Sequence, residues 1–315
     1  MKPLLSVCLI TYNHANYIAQ AIEGVLMQEV NFSWELIIAD DCSTDVTRDI
    51  ILAYQKKYPE FIKLILQEKN VGAAQNWIEL INYPQSKYIA YFEGDDHWVD
   101  SNKLQKQVDF LEANPNYAIS FHRVYEIADG NEPLLSNLNT SFNEETYTIE
   151  DLAKGNFIHT PSVIFRNKLF KDLPAWFPDS PVGDYPLYML NARYGNIKYF
   201  PEPMAVYRRH PGSIWSGKSQ LYQSERWNIM LGYLVKEFKN TKVAKILLDQ
   251  KANNEYIIAS KYKESGKDAE YRVWLKKAFA SSSDFFLKWA IQHGQKNKYL
   301  ARYWRIKIYK KLTNR

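Results

Sequence analysis

The amino-acid sequence predicts an α/β fold, a mostly parallel open sheet flanked by helices, with a helical region at the C-terminal end. Apolar runs of strand length alternate with helical patterns over about the first hundred residues, and this order is typical of a parallel sheet. A polar turn follows each apolar run directly. After residue 216, Gly and Pro become rare and apolar residues recur at helical spacing.

Four early apolar segments are expected to form strands, at residues 4–10, 34–39, 62–66 and 88–92. Their apolar residues are nearly continuous, as in strands that are buried on both faces of a sheet. Helical patterns follow the first three segments, and Ser43 or Thr44 is expected to cap the second helix. A further strand is expected at residues 197–200.

The C-terminal part predicts helices through Leu231, Leu234, Val235, Ile246 and Leu247. Residues 256–279 predict one helical hairpin that turns near residues 265–267. We therefore expect two domains, an α/β domain over residues 1–216 and a helical region over residues 217–315.

Composition limits the class of protein. The chain has 315 residues, of which 46% are hydrophobic and 24% charged, so it can bury a substantial core. The apolar run near residue 4 is short and lacks a secretory cleavage site, and no segment approaches the roughly 20 apolar residues of a membrane-spanning helix. We expect a cytoplasmic protein in which Cys8 and Cys42 are small buried hydrophobic residues.

The net charge of +5 is concentrated at one end of the chain. Residues 288–315 contain six Lys and three Arg but no Asp or Glu, so the rest of the chain is acidic. The last helix is expected to carry an apolar aromatic stripe beside a basic stripe, formed by Tyr299, Tyr303 and Ile306 and by Lys298, Arg302 and Arg305. Such a helix suits the anionic inner face of a membrane, which predicts peripheral attachment. The alternative is a helix that packs on the protein and exposes its basic side to water.

Three carboxylates, Glu93, Asp95 and Asp96, lie within four positions at the end of the fourth predicted strand. Neighbouring carboxylates repel one another unless a cation, a donor or water compensates. The carboxyl ends of parallel strands meet at one edge of a sheet, where ligands bind in such folds. A bound divalent ion is therefore expected here, and an acidic surface turn is the alternative.

Four segments, in this order and spacing, resemble the inverting family 2 glycosyltransferases: SVCLITYN, ELIIADDCSTD, EKNVGAAQN and YIAYFEGDDHW. The resemblance is close over residues 4–115 and looser to about residue 216. It implies a GT-A fold, a nucleotide-sugar donor and transfer with inversion to a glycan or lipid-linked acceptor, as in bacterial surface-polysaccharide synthesis. It also implies a divalent metal cofactor, Mn²⁺ or Mg²⁺.

The resemblance implies nucleotide binding by Thr11, Tyr12, Asn13 and Asp41. In the family, the residue that matches Asp41 accepts a hydrogen bond from a uracil-type base, which favours a UDP-linked donor. For Asp41 the alternative is an acid that favours the N-terminal end of the following helix. Thr11 and Asn13 could also serve as a loop that caps a helix.

By the same resemblance, Asp95 and Asp96 are expected to hold the metal, and Asp95 also to face the nucleotide. Mg²⁺ and Mn²⁺ accept carboxylate and phosphate oxygens, so an ion can join these acids to a diphosphate. The role of Glu93 is open, because many relatives have Asp at this position. Arg208 is expected to bind phosphate and His210 to bind the metal, although a lone His is as often a core or surface residue.

Asp184 is expected to be the catalytic base. An inverting transfer needs a base to take the proton from the attacking hydroxyl group, and the family has an acidic pair ahead of a helix at this place. Only the second acid of the pair is present here, because the first is replaced by Gly183. An ordinary helix N-cap is the alternative for Asp184. Residues 159–162 resemble the acceptor-side segment of the family, and no chemical role is assigned to them.

Other functions are weaker interpretations of the same residues. No G-x-G-x-x-G motif follows the first strand, which argues against a dinucleotide-dependent dehydrogenase. Nucleic-acid binding would depend on the basic C-terminal residues alone and is not expected. A catalytically inactive binder of nucleotide sugars or glycans, with the same fold, is the main alternative to an enzyme.

Overall fold

The computed structural model describes residues 2–128, 131–138, 144–213, 215–282 and 284–285. The strands in this part of the chain are β1 (Leu5–Thr11), β2 (Trp34–Asp40), β3 (Ile62–Leu66), β4 (Tyr88–Glu93), β5 (His97–Trp98), β6 (Tyr117–Ala128), β7 (Leu134–Leu135), β8 (Thr146–Tyr147), β9 (Ile164–Arg166) and β10 (Asn196–Arg209). The helices are α1 (Ile18–Leu26), α2 (Thr47–Lys57), α3 (Ala73–Asn82), α4 (Lys103–Ala113), α5 (Ile149–Leu152), α6 (Asp184–Asn191), α7 (Gln220–Glu237), α8 (Lys242–Glu264) and α9 (Asp268–Ser281).

These strands form one sheet in the order β3-β2-β1-β4-β9-β6-β10-β5, with β7 on β6 and β8 on β10. The long ladders are parallel and join β1 to β2 and β4, β2 to β3, and β6 to β10. The short strands β5, β7, β8 and β9 add antiparallel pairs. The predicted α/β class with an open, mostly parallel sheet is confirmed.

The core lies between the sheet and the helices that follow its strands. Side chains of β1, β2 and β4 that share one face pack with the apolar sides of α1 and α4. On the opposite face, Cys8, Ile37 and Ile89 are also buried. Burial of both faces explains the nearly continuous apolar runs in the sequence.

Strand β10 is longer than the four residues expected from the sequence, since it continues to Arg209. Its register against β6 shifts between Phe200 and Ala205, a segment that contains Pro201 and Pro203. Proline has no backbone N–H to donate to a ladder, so the irregularity lies where the sequence requires it. The regular pairing that resumes at Ala205 carries the strand to the edge of the sheet where the predicted site lies.

The predicted cap of α2 is wrong. The helix begins at Thr47 with Val46 at the N-cap position and no side-chain cap. Ser43 is not free to cap it, because its N–H and hydroxyl both bond to the Asp40 carboxylate. Thr44 bonds to Asn13, so both candidate caps join neighbouring turns instead.

Cys8 is fully buried as expected, whereas the prediction for Cys42 is wrong. Cys42 is half-buried and has a φ of 59°, in the left-handed region that side chains other than Gly rarely adopt. It lies in the sharp turn after β2, where the chain leaves the core. Its place is therefore set by the turn and not by hydrophobic burial.

Two compact units divide the chain, Met1–Leu152 with Asn156–Gly217 and Ala153–Gly155 with Lys218–Arg315. In the second unit, α8 packs against both α7 and α9. The predicted hairpin is confirmed, because α8 ends at Glu264 and α9 begins at Asp268. Gly266 makes the turn possible with a φ of 71°.

The predicted basic amphipathic helix of the C-terminal residues lies outside the described residues. Within the described part, we find no helix that combines the length and the apolar character needed to cross a membrane.

Candidate active site

The ends of β1, β2 and β4 lie side by side at one edge of the sheet. Thr11 pairs with Asp40, and Ile10 pairs with Glu93. The backbone N–H of Asp41 donates to the Thr11 carbonyl at 3.1 Å, which continues this alignment past the strands. The parallel register therefore brings together three of the loops that the sequence marked as polar.

Asn13 ties the first of these loops to the second. It has a φ of 55°, a conformation that Asn tolerates better than most residues. Its side-chain oxygen accepts the N–H of Thr44 at 2.8 Å, and its own N–H donates to the hydroxyl of Ser43 at 2.9 Å. Tyr12 remains 38% exposed and is available to a ligand.

Asp41 ties the second loop to the third. Its carboxylate accepts the N–H groups of Val71 at 2.7 Å and Gly72 at 3.0 Å, and the residue is only 3% exposed. Gly72 has a φ of 88°, which suits glycine. The residue expected to contact a base therefore also shapes the loop after β3. An ionised carboxylate has acceptor sites beyond these two bonds.

Asp95 and Asp96 are 7% and 1% exposed, directly after β4. One oxygen of Asp95, Oδ2, lies 3.0 Å from Nε2 of His210, and Oδ1 of Asp96 accepts the N–H of Arg208 at 2.8 Å. The second oxygen of each carboxylate, Oδ1 of Asp95 and Oδ2 of Asp96, is buried without a hydrogen-bond partner. Buried oxygens of this kind are costly unless a ligand completes their contacts.

Burial and mutual repulsion shift the pKa values of the three carboxylates in this cluster in different directions. Burial, together with the charges of Asp95 and Asp184, raises the pKa of Glu93 to about 8. Burial, together with the charges of Asp95 and Glu93, raises the pKa of Asp96 well above its ordinary value. Burial opposes ionisation of Asp95 as well, but the hydrogen bond from His210 helps to lower its pKa below the ordinary value. Among the three carboxylates, Asp95 is therefore the one that favours the ionised form most.

Two groups of side chains in the described residues could hold a cation, and they share Asp95. Glu93, Asp95 and Asp96 form one, and His14, Asp95 and His210 form the other, each with ligand atoms within 4.8 Å of one another. Of the three predicted metal residues, Asp95 thus lies with Asp96 in one group and with His210 in the other. Sequence reasoning missed His14, because a single His in a polar turn gives no sign of what it faces.

Arg208 lies beside the same cluster. Its Nε donates to the Asp95 carbonyl at 3.0 Å, its Nη2 donates to Oε1 of Gln20 at 3.1 Å, and its guanidinium lies 4.7 Å from the ring centre of Tyr17. These contacts hold the positive charge next to the predicted diphosphate position. They also orient the side chain before any ligand binds.

Asp184 is the first residue of α6, and Gly183 occupies the N-cap position without a side-chain bond. The N-cap alternative for Asp184 is therefore wrong. The Asn156 amide donates to its Oδ2 at 3.3 Å. Burial raises the pKa of Asp184 above its ordinary value, although this bond and the N–H of Tyr185 oppose the rise. Asp184 is also close enough for its charge to raise the pKa of Glu93, which places it beside the acidic cluster.

His159 belongs to a polar cluster at the ends of β6 and β10 that the sequence did not reveal. Its Nε2 lies 3.2 Å from Oγ of Ser136 and 3.7 Å from Oε1 of Glu126, and its ring packs 5.0 Å from that of Tyr207. Glu126 also pairs with Arg209 at 2.6 Å. The segment that resembles an acceptor-side element therefore lies at the same edge of the sheet. Its partners come from three distant parts of the chain, so no local pattern could have indicated them.

The family model for glycosyl transferase family 2 matches residues 6–173. A Mycobacterium tuberculosis protein, Rv1520, is 37% identical over 217 residues, which cover 67% of this chain. The chain spans 60% of the length of that relative. The Escherichia coli protein WfgD, named as a UDP-Glc:alpha-D-GlcNAc-diphosphoundecaprenol beta-1,3-glucosyltransferase, is 30% identical over 230 residues, with 72% of this chain and 85% of WfgD covered.

A solved structure has the same fold. S. aureus TarS 1–349, in complex with UDP-GlcNAc, superposes with a TM-score of 0.61 at 16% identity and covers 94% of this chain and 93% of its own. This likeness supports the GT-A fold of the chain. With the family model matching more than half of the residues, the chain belongs to glycosyl transferase family 2.

Proposed function

We propose that the protein transfers a sugar from a UDP-linked donor to a hydroxyl group of a glycan or lipid-linked acceptor in surface-polysaccharide synthesis, with inversion at the transferred carbon. Family membership supports the transferase class, and the similarity to WfgD, a UDP-Glc-dependent glucosyltransferase by name, supports a UDP-sugar and a lipid diphosphate acceptor. The observation that carries the proposal is the pair of buried, unpartnered carboxylate oxygens at the sheet edge, beside the nucleotide turns.

The donor nucleotide is proposed to bind over the first two turns. Tyr12 offers an exposed aromatic ring, and Thr11 and Asn13 fix the turn through their side-chain bonds. Asp41, already bonded to two backbone N–H groups, retains acceptor sites for the N–H of a uracil-type base.

Asp95, Asp96 and His210 are proposed to hold a divalent ion, Mn²⁺ or Mg²⁺. The unpartnered oxygens and the chemistry of the donor set fit such an ion. When bound, it supplies positive charge that offsets the charge of the diphosphate. Arg208, held against the Asp95 carbonyl, adds a second positive group at the same place.

Asp184 is proposed to take the proton from the acceptor hydroxyl. The hydroxyl oxygen then forms a bond to the anomeric carbon, while the bond from that carbon to the diphosphate oxygen breaks and UDP leaves with the electron pair. Attack from the opposite side inverts the configuration. Burial raises the pKa of Asp184, and this makes its carboxylate a stronger base than an exposed one.

The experiment that tests this proposal combines donor hydrolysis with Asp184→Asn. A panel of sugar nucleotides with Mn²⁺ identifies the donor through slow hydrolysis in the absence of acceptor. In Asp184→Asn we expect unchanged UDP affinity by calorimetry and turnover that is lower by about 10²- to 10⁴-fold. The exposed neighbour Asp179 gives the matched control, Asp179→Asn, with turnover unchanged.

A catalytically inactive binder would give the opposite result. It would bind nucleotide sugars with no hydrolysis in the wild type, and Asp184→Asn would then change nothing. Turnover retained in Asp184→Asn would instead remove this residue from its proposed role.

A further inference from the structure

Two histidines from distant parts of the chain face the same carboxylate. His14 lies in the turn after β1 and His210 follows β10, and their ring nitrogens lie with an oxygen of Asp95 within 4.8 Å of one another. All three side chains are mostly or partly shielded from solvent. A shared role for these histidines rests on the proposed function and deepens it, because it concerns the kind of ion that the same site selects.

The hydrogen-bond distance between His210 and Asp95 is also the spacing of two ligands that share one ion. Protein nitrogen and oxygen atoms bind divalent metals at about 2.1 Å, so two of them at a right angle lie about 3 Å apart. His210 Nε2 and Asp95 Oδ2 are 3.0 Å apart. The other oxygen of Asp95, Oδ1, is buried and has no partner.

His14 is oriented to join them. Its Nδ1 lies 3.2 Å from the hydroxyl of Thr11, which accounts for one ring nitrogen and leaves Nε2 for another partner. Histidines that bind metals usually have their second nitrogen bonded in this way, which fixes the ring. Tyr17 packs against both histidine rings, with ring centres 6.5 Å from His14 and 5.0 Å from His210.

Gly94 keeps the space that this arrangement needs. A Cβ atom at this position would lie 2.9 Å from Oγ1 of Thr11 and 3.0 Å from Nδ1 of His14. Any side chain there would displace the pair that orients the His14 ring. Gly94, in the acidic loop after β4, therefore leaves room for the turn after β1 that contains His14.

We propose that His14 is a further metal ligand at the ion site already proposed, beside Asp95 and His210, and that its two imidazole nitrogens make the site favour Mn²⁺, Co²⁺ or Zn²⁺ over Mg²⁺. Imidazole suits these transition ions, whereas Mg²⁺ is bound through oxygen. Asp96, the other proposed carboxylate ligand, also positions His210, since its Oδ1 accepts the N–H of Arg208, two residues before His210.

The test counts the nitrogen atoms bound to the ion. Full-length protein is loaded with Mn²⁺, and pulsed electron paramagnetic resonance measures the couplings from directly bound imidazole nitrogens. We expect two in the wild type and one in His14→Gln. His97→Gln is the matched control, because His97 neighbours Asp96 in the sequence but lies in neither candidate group, and it keeps both couplings. Two couplings in His14→Gln, or fewer than two in the wild type, would overturn the proposal.

A second variant covers the possibility that His14→Gln does not fold. His14→Asp keeps a ligand but exchanges nitrogen for oxygen. We expect one coupling, retained ion binding and a ratio of Mn²⁺ to Mg²⁺ affinity, measured by calorimetry, that falls at least about tenfold. An unchanged ratio in a folded His14→Asp protein would contradict the assignment.

A separate measurement of donor hydrolysis distinguishes failure of the proposed function from failure of the proposed ligand role of His14. Two imidazole couplings without hydrolysis of any sugar nucleotide would count against the proposed function and not against the ligand set. Metal-dependent hydrolysis with a single coupling would leave the function standing and refute the role of His14.

Discussion

The surroundings of Asp184 determine its pKa, and the proposed reaction depends on that pKa. Burial raises its pKa, while the hydrogen bond from Asn156 favours the charged form and opposes that rise. A base must be ionised to act, so we expect turnover to increase with pH through this raised pKa. In Asn156→Ala the charged form loses its donor, and the acid side of the pH–rate profile should move to higher pH.

The measurement is kcat/KM against pH, at a fixed and saturating ion concentration, for wild type and Asn156→Ala. The exposed amide Asn131 provides the control variant Asn131→Ala, which should reproduce the wild-type profile. Coincident acid limbs for wild type and Asn156→Ala would show that Asp184 does not control the rate.

His159 makes stability depend on pH. Burial, with a smaller contribution from Arg209 and against the attraction of Glu126, lowers its pKa to about 4 from an ordinary value of 6.5. Between these two values the unfolded chain binds the proton and the folded one does not. The stability that the neutral, buried His159 contributes is therefore complete above pH 6.5 and is lost as the pH falls to about 4, on the order of 3 kcal/mol.

In His159→Gln we expect a smaller loss of unfolding free energy between about pH 7 and about pH 4.5 than in the wild type, by roughly that amount. Gln keeps a polar contact for Ser136 but does not titrate. Urea unfolding at the two pH values measures the difference. An equal loss in both proteins would show that His159 is not buried in its neutral form.

At the scale of elements, α1 packs so closely on β5 that only glycine fits between them. A Cβ atom on Gly24 would lie 2.9 Å from both the backbone N and the backbone O of Trp98. Gly24→Ala should lower the free energy of unfolding by about 1–3 kcal/mol, because backbone atoms of β5 must move. Gly232, within α7, has open space around it, so Gly232→Ala should raise stability by about 0.5–1 kcal/mol.

Denaturant unfolding of both glycine variants checks this contrast. Since β5 pairs with β10 beside the acidic cluster, Gly24→Ala should also weaken ion binding in calorimetry. Equal stability of Gly24→Ala and the wild type would mean that α1 and β5 pack together less tightly than these distances indicate.

The sequence identified the first four parallel strands well, because residues buried on both faces leave continuous apolar runs, but it did not predict β6. Residues 62–66 form β3 as expected, and the other early strands agree within one residue at each end. Strands β5 and β7 have two residues each, too few to show a period, and their neighbours determine them. The start of α2 was missed because Ser43 and Thr44 bond to other turns and not to the helix.

At the scale of the whole molecule, the site joins residues from 11 to 210 along the chain. The sequence could propose Asp95 and Asp184 for it, because motifs mark the ends of strands and the start of a helix. It could not predict His14 as a neighbour of His210, or Asp41 as an anchor of the next loop. Those contacts depend on turn conformations, such as the left-handed backbone of Asn13, that no residue pattern specifies.

The most direct test of the central claim is calorimetric titration of UDP into the full-length protein, with Mn²⁺ and again with a chelator. We expect binding with Mn²⁺ that weakens at least about tenfold, or about 1.4 kcal/mol, with the chelator and equally in Asp95→Asn. The exposed acid Asp109 supplies the control Asp109→Asn, with wild-type affinity. Equal UDP affinity with and without the ion, or no binding of UDP at all, would contradict the account.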